Sequence, residues 1–263
     1  MFKRELKFNL KSFLIWLVIL IIMFMVVFLI YPSIMNSDNI KSIDEMMNSF
    51  SDEMLKAFNM DISNVSTAYG WFKTEGFIMM ILVLGCYSGI LGSNILLKEE
   101  NDKTIEYLNS LPIKRRKIVL DKALCGFIYI FLITFLLGIF NYIGLEISGD
   151  LNLKQYILLS ITPLLSSSVI FSICLFISTF VHKSKKVIGI SLGIVFISYI
   201  LNTLSGITKS VEFLKYFSVF TLADIRNVII NISIDPKMII ISSSLTIFFT
   251  LLTIIKYEKK ELI

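Results

Sequence analysis

The sequence predicts an all-α integral membrane protein with six transmembrane helices and both termini on the cytoplasmic side. Apolar residues make up 56% of its 263 residues and the mean hydropathy is +0.79, whereas a soluble domain has about 45–50% apolar residues. The apolar residues fall in long runs, and about 20 of them suffice to cross the hydrocarbon core of a bilayer. The predicted spans, none of which contains Asp, Glu, Lys or Arg, are 13–31, 77–97, 123–143, 156–181, 187–204 and 238–255.

The charges in the connecting segments orient these spans. With residue 1 inside, the inner segments hold 17 Lys and Arg and the outer segments hold 8, whereas Asp and Glu number 8 inside and 12 outside. Cytoplasmic loops carry an excess of Lys and Arg, so we place 1–12, 98–122, 182–186 and 256–263 in the cytoplasm. The basic composition therefore reflects membrane orientation and does not indicate nucleic-acid binding.

The segments that flank the spans have patterns of their own. Residues 1–12 repeat apolar side chains every four positions opposite a basic side, which predicts a short amphipathic helix in the inner interface. Apolar residues three and four apart in 32–76 predict amphipathic helices on the outer surface, acting as a lid or a gate. The aromatic residues of 205–237 predict an interfacial anchor or a re-entrant element.

The spans lack the groups that carry out catalysis. They contain no carboxylate pair and no histidine, and the chain has no G-x-x-x-x-G-K-[ST] phosphate loop. Cys86, Cys125 and Cys174 lie in three different spans without metal-ligand spacing, which predicts a structural role. A proton or sodium relay normally needs ionisable groups in the membrane. The sequence therefore predicts a non-catalytic subunit, with no metal or cofactor of its own, that is driven by another polypeptide.

The charged segment 98–122 is the candidate route for that driving force. Asn101 or Asp102 is expected to cap a short helix over 101–111, and Pro112 to end it. The apolar residues that share one face of this helix are three apart: Ile105, Leu108 and Leu111. A partner that grips a short helix held between two spans would tilt both spans. The periodicity alone also leaves open a capped, positive-inside loop that binds no partner.

This segment resembles the cytoplasmic loop of the ABC-2 permeases, the membrane subunits of bacterial type V ABC exporters. The residues that carry the resemblance are Glu100, Thr104, Glu106, Tyr107, Leu108, Leu111, Pro112, Arg115, Arg116 and Lys122. This chain departs from the family pattern at Lys103, where glycine is common, and a less tightly turned start of the helix is therefore expected. The six spans and the long first outer loop are also similar to the family.

The resemblance implies a dimer of permease subunits, identical or different, each docked on a separate ATPase subunit that binds ATP and Mg²⁺. Residues 1–12 would be the connector helix. The residues implied in coupling to the ATPase are Thr104, Ile105, Glu106, Tyr107, Leu108, Leu111, Pro112, Arg115 and Arg116. The path would run between the protomers along the second and fifth spans, with candidate residues Tyr87, Ser88, Ser93, Asn94, Ser191, Phe196, Ser198 and Tyr199. Helix packing through small residues explains several of these equally well.

We therefore predict the permease subunit of an ATP-driven exporter, embedded in the lipid of a bacterial cytoplasmic membrane. An uncharged cavity suits an amphipathic peptide, such as a peptide toxin, bacteriocin or phenol-soluble modulin, or a hydrophobic drug-like molecule. The alternative is an ion-coupled secondary transporter or a channel that ATP does not drive. If Leu108 lies on the docking face, Leu108→Asp should uncouple transport and leave the protein folded.

Overall fold

The computed structural model describes residues 2–34, 76–110, 112–147, 152–206, 209–223 and 232–260, without the side chains of 31–34, 107, 109 and 209. Six helices in these segments are long and apolar enough to cross a membrane. No strand occurs within the described segments. The prediction of an all-α fold with six spans is confirmed.

Except for the fourth, the spanning helices are longer than the apolar runs that predicted them. In chain order the helices are α1 (Phe2–Ile34), α2 (Phe77–Asn101), α3 (Ile105–Ser110), α4 (Arg115–Ile147), α5 (Leu153–Ile177), α6 (Ser184–Ser205) and α7 (Pro236–Glu258). Short 3₁₀ segments cover Ser178–Phe180, Lys209–Phe217 and Val219–Ala223. The extra turns carry the charged residues that the spans exclude, and α3 is the short cytoplasmic helix between α2 and α4.

Helix α1 differs from the prediction of a separate amphipathic helix over 1–12. It runs without a break from Phe2 to Ile34. The face that packs on the bundle near its start consists of Glu5, Asn9 and Phe13, whereas Leu10 is exposed. The reason is electrostatic, because Glu5 has lysine partners inside the bundle that the hydrophobic pattern could not indicate.

Helix α5 lies at the centre of the bundle and packs against α2, α4 and α7. Helix α2 lies between α5 and α6, and α1 packs mainly on α4. The approach of α2 to α5 requires glycine, since a Cβ at Gly92 would lie 2.5 Å from the carbonyl oxygen of Phe171. Small residues allow such close helix contacts in membranes. Helices α2 and α5 therefore form a closely packed pair, and α6 packs against the α2 side of this pair.

Local hydrogen bonds account for two features of the helices. Asp235 caps α7, and its carboxylate accepts a hydrogen bond from the Lys237 N–H at 3.0 Å. Pro163 lies inside α5, where it has no N–H to donate to the Leu159 carbonyl. The Thr162 hydroxyl donates to that carbonyl instead, at 3.0 Å. The proline is thereby accommodated within a continuous helix.

The outer segments are only partly described. The amphipathic helices predicted within 32–76 fall almost entirely on residues 35–75, outside the described residues. In 205–237, the first long 3₁₀ segment exposes the aromatic side chains Phe213, Tyr216 and Phe217, whereas Phe220 in the second is buried. The Phe220 ring reaches α2, since a Cβ at Gly85 would lie 3.0 Å from it. Whether the segment is an anchor or re-entrant stays a prediction.

Candidate functional site

The turn between α2 and α3 positions the candidate coupling helix. The Thr104 N–H donates to the Glu99 carbonyl at 2.9 Å, and the Lys103 N–H donates to the Glu100 carbonyl at 3.4 Å. This pair of bonds is the Schellman motif that ends many helices. Lys103 has a φ of 54°, in the left-handed region that glycine adopts most easily. The expectation of a looser turn at Lys103 is therefore wrong, because lysine itself adopts the left-handed conformation that closes this turn.

Helix α3 is shorter than predicted, covering Ile105–Ser110 instead of 101–111. Asn101 is the last residue of α2 and does not cap α3. Its side-chain amide donates to the Leu97 carbonyl at 2.9 Å, and its side-chain oxygen accepts from the Ser184 N–H at 3.3 Å. These bonds fix the end of α2 against the start of α6.

The two described apolar residues of α3 face the bundle. Ile105 is 4% exposed and Leu108 is 2% exposed, and both belong to the hydrophobic core. Leu108 therefore holds α3 onto its own chain and does not offer a docking surface. The shared face found from periodicity points inward, so Leu108→Asp would place a carboxylate in the core, which argues against the expectation that this variant stays folded. Thr104 and Glu106 are exposed.

A buried cluster of charges lies where α2 ends. The Lys98 ammonium donates to the Glu5 carboxylate at 2.5 Å, and the Lys122 ammonium donates to the Glu99 carboxylate at 2.6 Å. Lys122 also donates to the Ile95 carbonyl at 2.5 Å and lies 3.8 Å from the other Glu5 oxygen. Glu5 and Lys122 are fully buried. Two lysines and two glutamates thus balance one another between α1, α2 and α4.

The next residue of α2 extends this cluster to the end of α7. The Lys260 ammonium donates to the Glu100 carboxylate at 2.7 Å and to the Val181 carbonyl at 3.2 Å. The imidazole of His182 lies 2.9 Å from the other Glu100 oxygen. We call the set Glu5, Lys98, Glu99, Glu100, Lys122 and Lys260 the cytoplasmic junction. No pattern in the sequence predicts this junction. The local sign of it is the run Lys98-Glu99-Glu100, which places three charges directly after a span.

The predicted coupling arginines also bind within the chain. The Arg115 guanidinium donates to the carbonyls of Glu258 and Lys260, at 3.1 and 2.7 Å. The Arg116 guanidinium donates to the Glu258 carboxylate at 2.6 Å. Both arginines therefore hold the end of α7 beside the start of α4.

The predicted path residues lie on α2 and α6, and the structure brings several of them together. Ser93 and Ser191 form a hydrogen bond at 2.5 Å between their hydroxyls. Ser88 donates to the Leu84 carbonyl at 2.8 Å, and Ser198 bonds with Ser218 at 3.2 Å. These four path residues are buried in this chain. Here they contribute to helix packing, as small polar residues do in membrane bundles.

The remaining path candidates occupy different environments. The Tyr87 ring is buried, with its centroid 6.0 Å from that of Trp16. Asn94 accepts a hydrogen bond from the Ser184 hydroxyl near the cytoplasmic end of α2. Tyr199 packs edge-on against Phe220. Phe196 alone among the eight is mostly turned outward, with 48% of its surface exposed.

The chain matches a known family of membrane transport proteins over nearly its whole length. The family model described as ABC-2 family transporter protein matches residues 1–262. This chain belongs to the ABC-2 family. No curated protein and no solved structure matches it. The ABC-2 protein is thus a multi-pass membrane component of an ABC transporter, a family that in general works with an ABC ATPase.

For an ABC-2 permease, the geometry divides the predicted coupling residues into two groups. The residues that the chain uses internally are Ile105, Leu108, Arg115 and Arg116. The residues whose side chains are exposed include Thr104, Glu106 and Pro112. Leu111 and the side chain of Tyr107 lie outside the described residues. Across the described part of the chain, no group of His, Cys, Asp and Glu could hold a metal ion.

Proposed function

We propose that this chain is the membrane subunit of an ATP-driven exporter in a bacterial cytoplasmic membrane. A separate ATPase subunit, which binds ATP and Mg²⁺, docks on the exposed face of α3. A second permease subunit, identical or related, completes the path. The observation that carries the proposal is the cytoplasmic junction, in which three consecutive residues in the last turn of α2, separated from α3 by four residues, bind three other parts of the chain.

The junction supports transmission of a force from α3 to most of the bundle. Lys98 binds α1, Glu99 binds α4, and Glu100 binds the segment that follows α7. Breaking a buried ion pair by loss of one partner costs about 3–5 kcal/mol. The inner ends of α1, α2, α4 and α7 therefore move as one body when α3 moves. This is a larger unit than the two spans that flank the coupling segment in the sequence.

The exposed part of the α3 region supplies a surface for the ATPase. Glu106 is exposed in the first turn of α3, and Thr104 is exposed just before it. Asp102 and Lys103, in the preceding turn, are also exposed. These four exposed residues form a polar surface on α3 and the turn before it. Ile105 and Leu108 hold the other side of α3 on the bundle, so a bound subunit would act on a fixed element.

Helix α6 provides a surface for the second permease subunit. Gly189 and Gly193 form a G-x-x-x-G pattern, and among the described residues no atom outside the local backbone of α6 lies within 4 Å of where their Cβ atoms would be. Phe196 and Ile200 follow on the same face and are exposed. Such glycine pairs allow two membrane helices to pack closely. A partner helix seated here would place the path beside α2 and α6, as the resemblance implies.

The proposed cargo is an amphipathic peptide or a hydrophobic drug-like molecule. The apolar runs of α2 and α6, over 77–97 and 187–204, contain no charged residue, and their polar groups are hydroxyls, the Tyr87 and Tyr199 phenols, and the Asn94 and Asn202 amides. A charged cargo would enter such a path at a high cost in desolvation. Apolar surface with a few hydrogen-bonding groups suits a cargo that has one apolar face.

Reconstitution with a candidate ATPase tests the proposal. We expect Glu106→Lys to reduce the amount of ATPase that co-purifies with the chain by about tenfold, since a reversed charge at an interface replaces attraction with repulsion. ATP-dependent uptake of a fluorescent amphipathic peptide into inverted vesicles should fall in parallel. The matched control is Glu146→Lys, which changes an exposed glutamate at the other end of α4.

The alternative function, an ion-coupled transporter or a channel, gives the opposite result. In that case the purified chain alone would move the peptide across liposomes without nucleotide or ATPase. Equal transport by the Glu106→Lys variant and the wild-type protein in the presence of ATPase would also contradict the proposal.

A further inference from the structure

A cavity of about 600 Å³ opens at the cytoplasmic end of the bundle, between the start of α1, the end of α2 and the start of α6. Three lysines line it, namely Lys98, Lys183 and Lys185, together with the apolar side chains Phe8 and Ile90. Of the cytoplasmic junction, only Lys98 reaches this cavity. The coupling scheme proposed above leaves the cavity without a role.

The cavity has an excess of positive charge. Lys183 and Lys185 are exposed, and neither forms an ion pair with a described carboxylate. Lys98 is already paired with Glu5, and its ammonium lies 4.1 Å from the centre of the Phe8 ring. Asp102 is the one acidic residue in the lining. Two cations are therefore available for an anion from outside the chain.

The walls of the cavity are fixed by contacts between α2 and α6. The Ser184 hydroxyl donates to the side-chain oxygen of Asn94, and the Ser184 N–H donates to the side-chain oxygen of Asn101 at 3.3 Å. These bonds hold the first turn of α6, with Lys183 and Lys185 on either side of Ser184, against the last two turns of α2. The lysines are thus presented by a positioned element.

The depth of the cavity matches the boundary between headgroups and acyl chains. Ile90 and Lys98 are eight residues apart on α2, which corresponds to about 12 Å along the helix axis. The charge distribution places the Lys98 end at the cytoplasmic surface, so Ile90 lies on the membrane side. An amphipathic ligand with an anionic end and an apolar body would meet cations and apolar side chains in the same order.

We propose that this cavity binds an anionic phospholipid of the inner leaflet. The phosphate lies between Lys183 and Lys185, and the first part of an acyl chain lies against Phe8 and Ile90. Basic pockets between transmembrane helices on the cytoplasmic side bind anionic headgroups in this way. The lining shares Asp102 with the proposed ATPase surface and Asn94 with the candidate path. Lys183 and Lys185 belong to neither, so failure of either part of the proposed function leaves this proposal unchanged.

The test measures lipid retention by the full chain in nanodiscs of phosphatidylcholine with and without phosphatidylglycerol. Native mass spectrometry should show that the wild-type protein retains phosphatidylglycerol in preference to phosphatidylcholine. Lys183→Gln with Lys185→Gln should weaken this retention about thirtyfold, since each lysine near an anionic membrane surface contributes about 1 kcal/mol, or about fivefold, to binding. Lys114→Gln with Lys117→Gln removes two exposed lysines outside the cavity and should leave retention unchanged.

Two further measurements separate the possible outcomes. Thermal unfolding in pure phosphatidylcholine should be the same for both double variants and the wild-type protein, which verifies that each variant folds. Equal loss of phosphatidylglycerol in the two double variants would show a general surface-charge effect and overturn the proposal. Retention of inorganic phosphate or of the chain-free headgroup as strongly as the lipid would assign a soluble anion and also overturn it.

Discussion

The cytoplasmic junction and the outward face of α6 differ in how far contacts within the same chain cover them. In the junction, each buried carboxylate has an opposite charge of the same chain within 4.0 Å. On α6, Gly189 and Gly193 face open space and Phe196 is exposed. Under the proposed function, the region whose charges are paired within one chain transmits movement, and the region left open receives a second subunit. The predictions below test this difference.

Loss of Lys122 is expected to lower the stability of the protein by the largest amount. Lys122→Met leaves Glu5 and Glu99 buried with one fewer cation, and an uncompensated buried charge costs about 3–5 kcal/mol. The measurement is thermal unfolding of the purified protein in detergent. Lys117→Met is the control, since Lys117 is exposed in the first turn of α4. Addition of Glu99→Gln to Lys122→Met should recover part of the loss, and a fully additive loss would show that the two side chains do not interact.

Truncation of Leu108 is expected to be the next largest effect. Leu108→Ala should lower the free energy of unfolding by about 2–5 kcal/mol, as removal of a buried leucine does in other proteins. The exposed neighbour Glu106 provides the comparison, because Glu106→Ala should change stability by less than about 0.5 kcal/mol. Proteolysis of the purified variants at the α3 segment measures the difference. A stable Leu108→Ala variant that fails only to bind an ATPase would restore Leu108 to the docking face.

The glycines of α6 should matter for association and not for folding. Gly189→Leu with Gly193→Leu fills open space in the single chain and prevents the close helix approach that such glycines allow. Pairing of permease subunits should therefore fall by about tenfold, which corresponds to about 1.4 kcal/mol. Crosslinking in membranes measures the pairing. Gly92→Leu is the contrasting variant, since its side chain would collide with Phe171 and unfold the chain. Unchanged crosslinking in the α6 variant would exclude this face as the contact.

The smallest expected effect concerns the turn before α3. Lys103→Gly should stabilise the protein by about 0.5–1 kcal/mol, because a lysine with a φ of 54° is strained and glycine is not. Lys117→Gly, inside the first turn of α4, should instead destabilise by about 1 kcal/mol. Thermal unfolding of the two variants measures both changes. A loss of stability in Lys103→Gly would contradict this expectation. It would show that the conformational entropy that glycine loses on folding exceeds the strain that lysine has at this φ.

The sequence was sufficient for the fold class because spans are encoded locally. A run of about 20 apolar residues has few alternatives to a membrane helix, and each of the six runs lies on a long helix. The start of α7 is also encoded locally, since Asp235 caps the helix and Pro236 is its first residue. The continuity of α1 was missed because the polar face of 1–12 suggested an interfacial helix.

The site was less accessible from the sequence because its contacts join distant residues. Lys98 binds Glu5 across 93 positions, and Lys260 binds Glu100 across 160 positions. Charges near the ends of spans are common, and their pairing depends on how the helices assemble. Periodicity identified the shared face of Ile105 and Leu108 but could not give its direction, which depends on the turn at Lys103.

The position of Glu5 has a consequence for biogenesis. A polypeptide is made from its amino end, so α1 reaches the bilayer while its carboxylate still lacks both lysines, the nearer of which comes 93 residues later. Until then the acid must stay hydrated at the inner edge of the membrane. Helix α1 therefore enters the membrane early, but it can form its final contacts with α2 and α4 only after Lys98 and Lys122 have been translated.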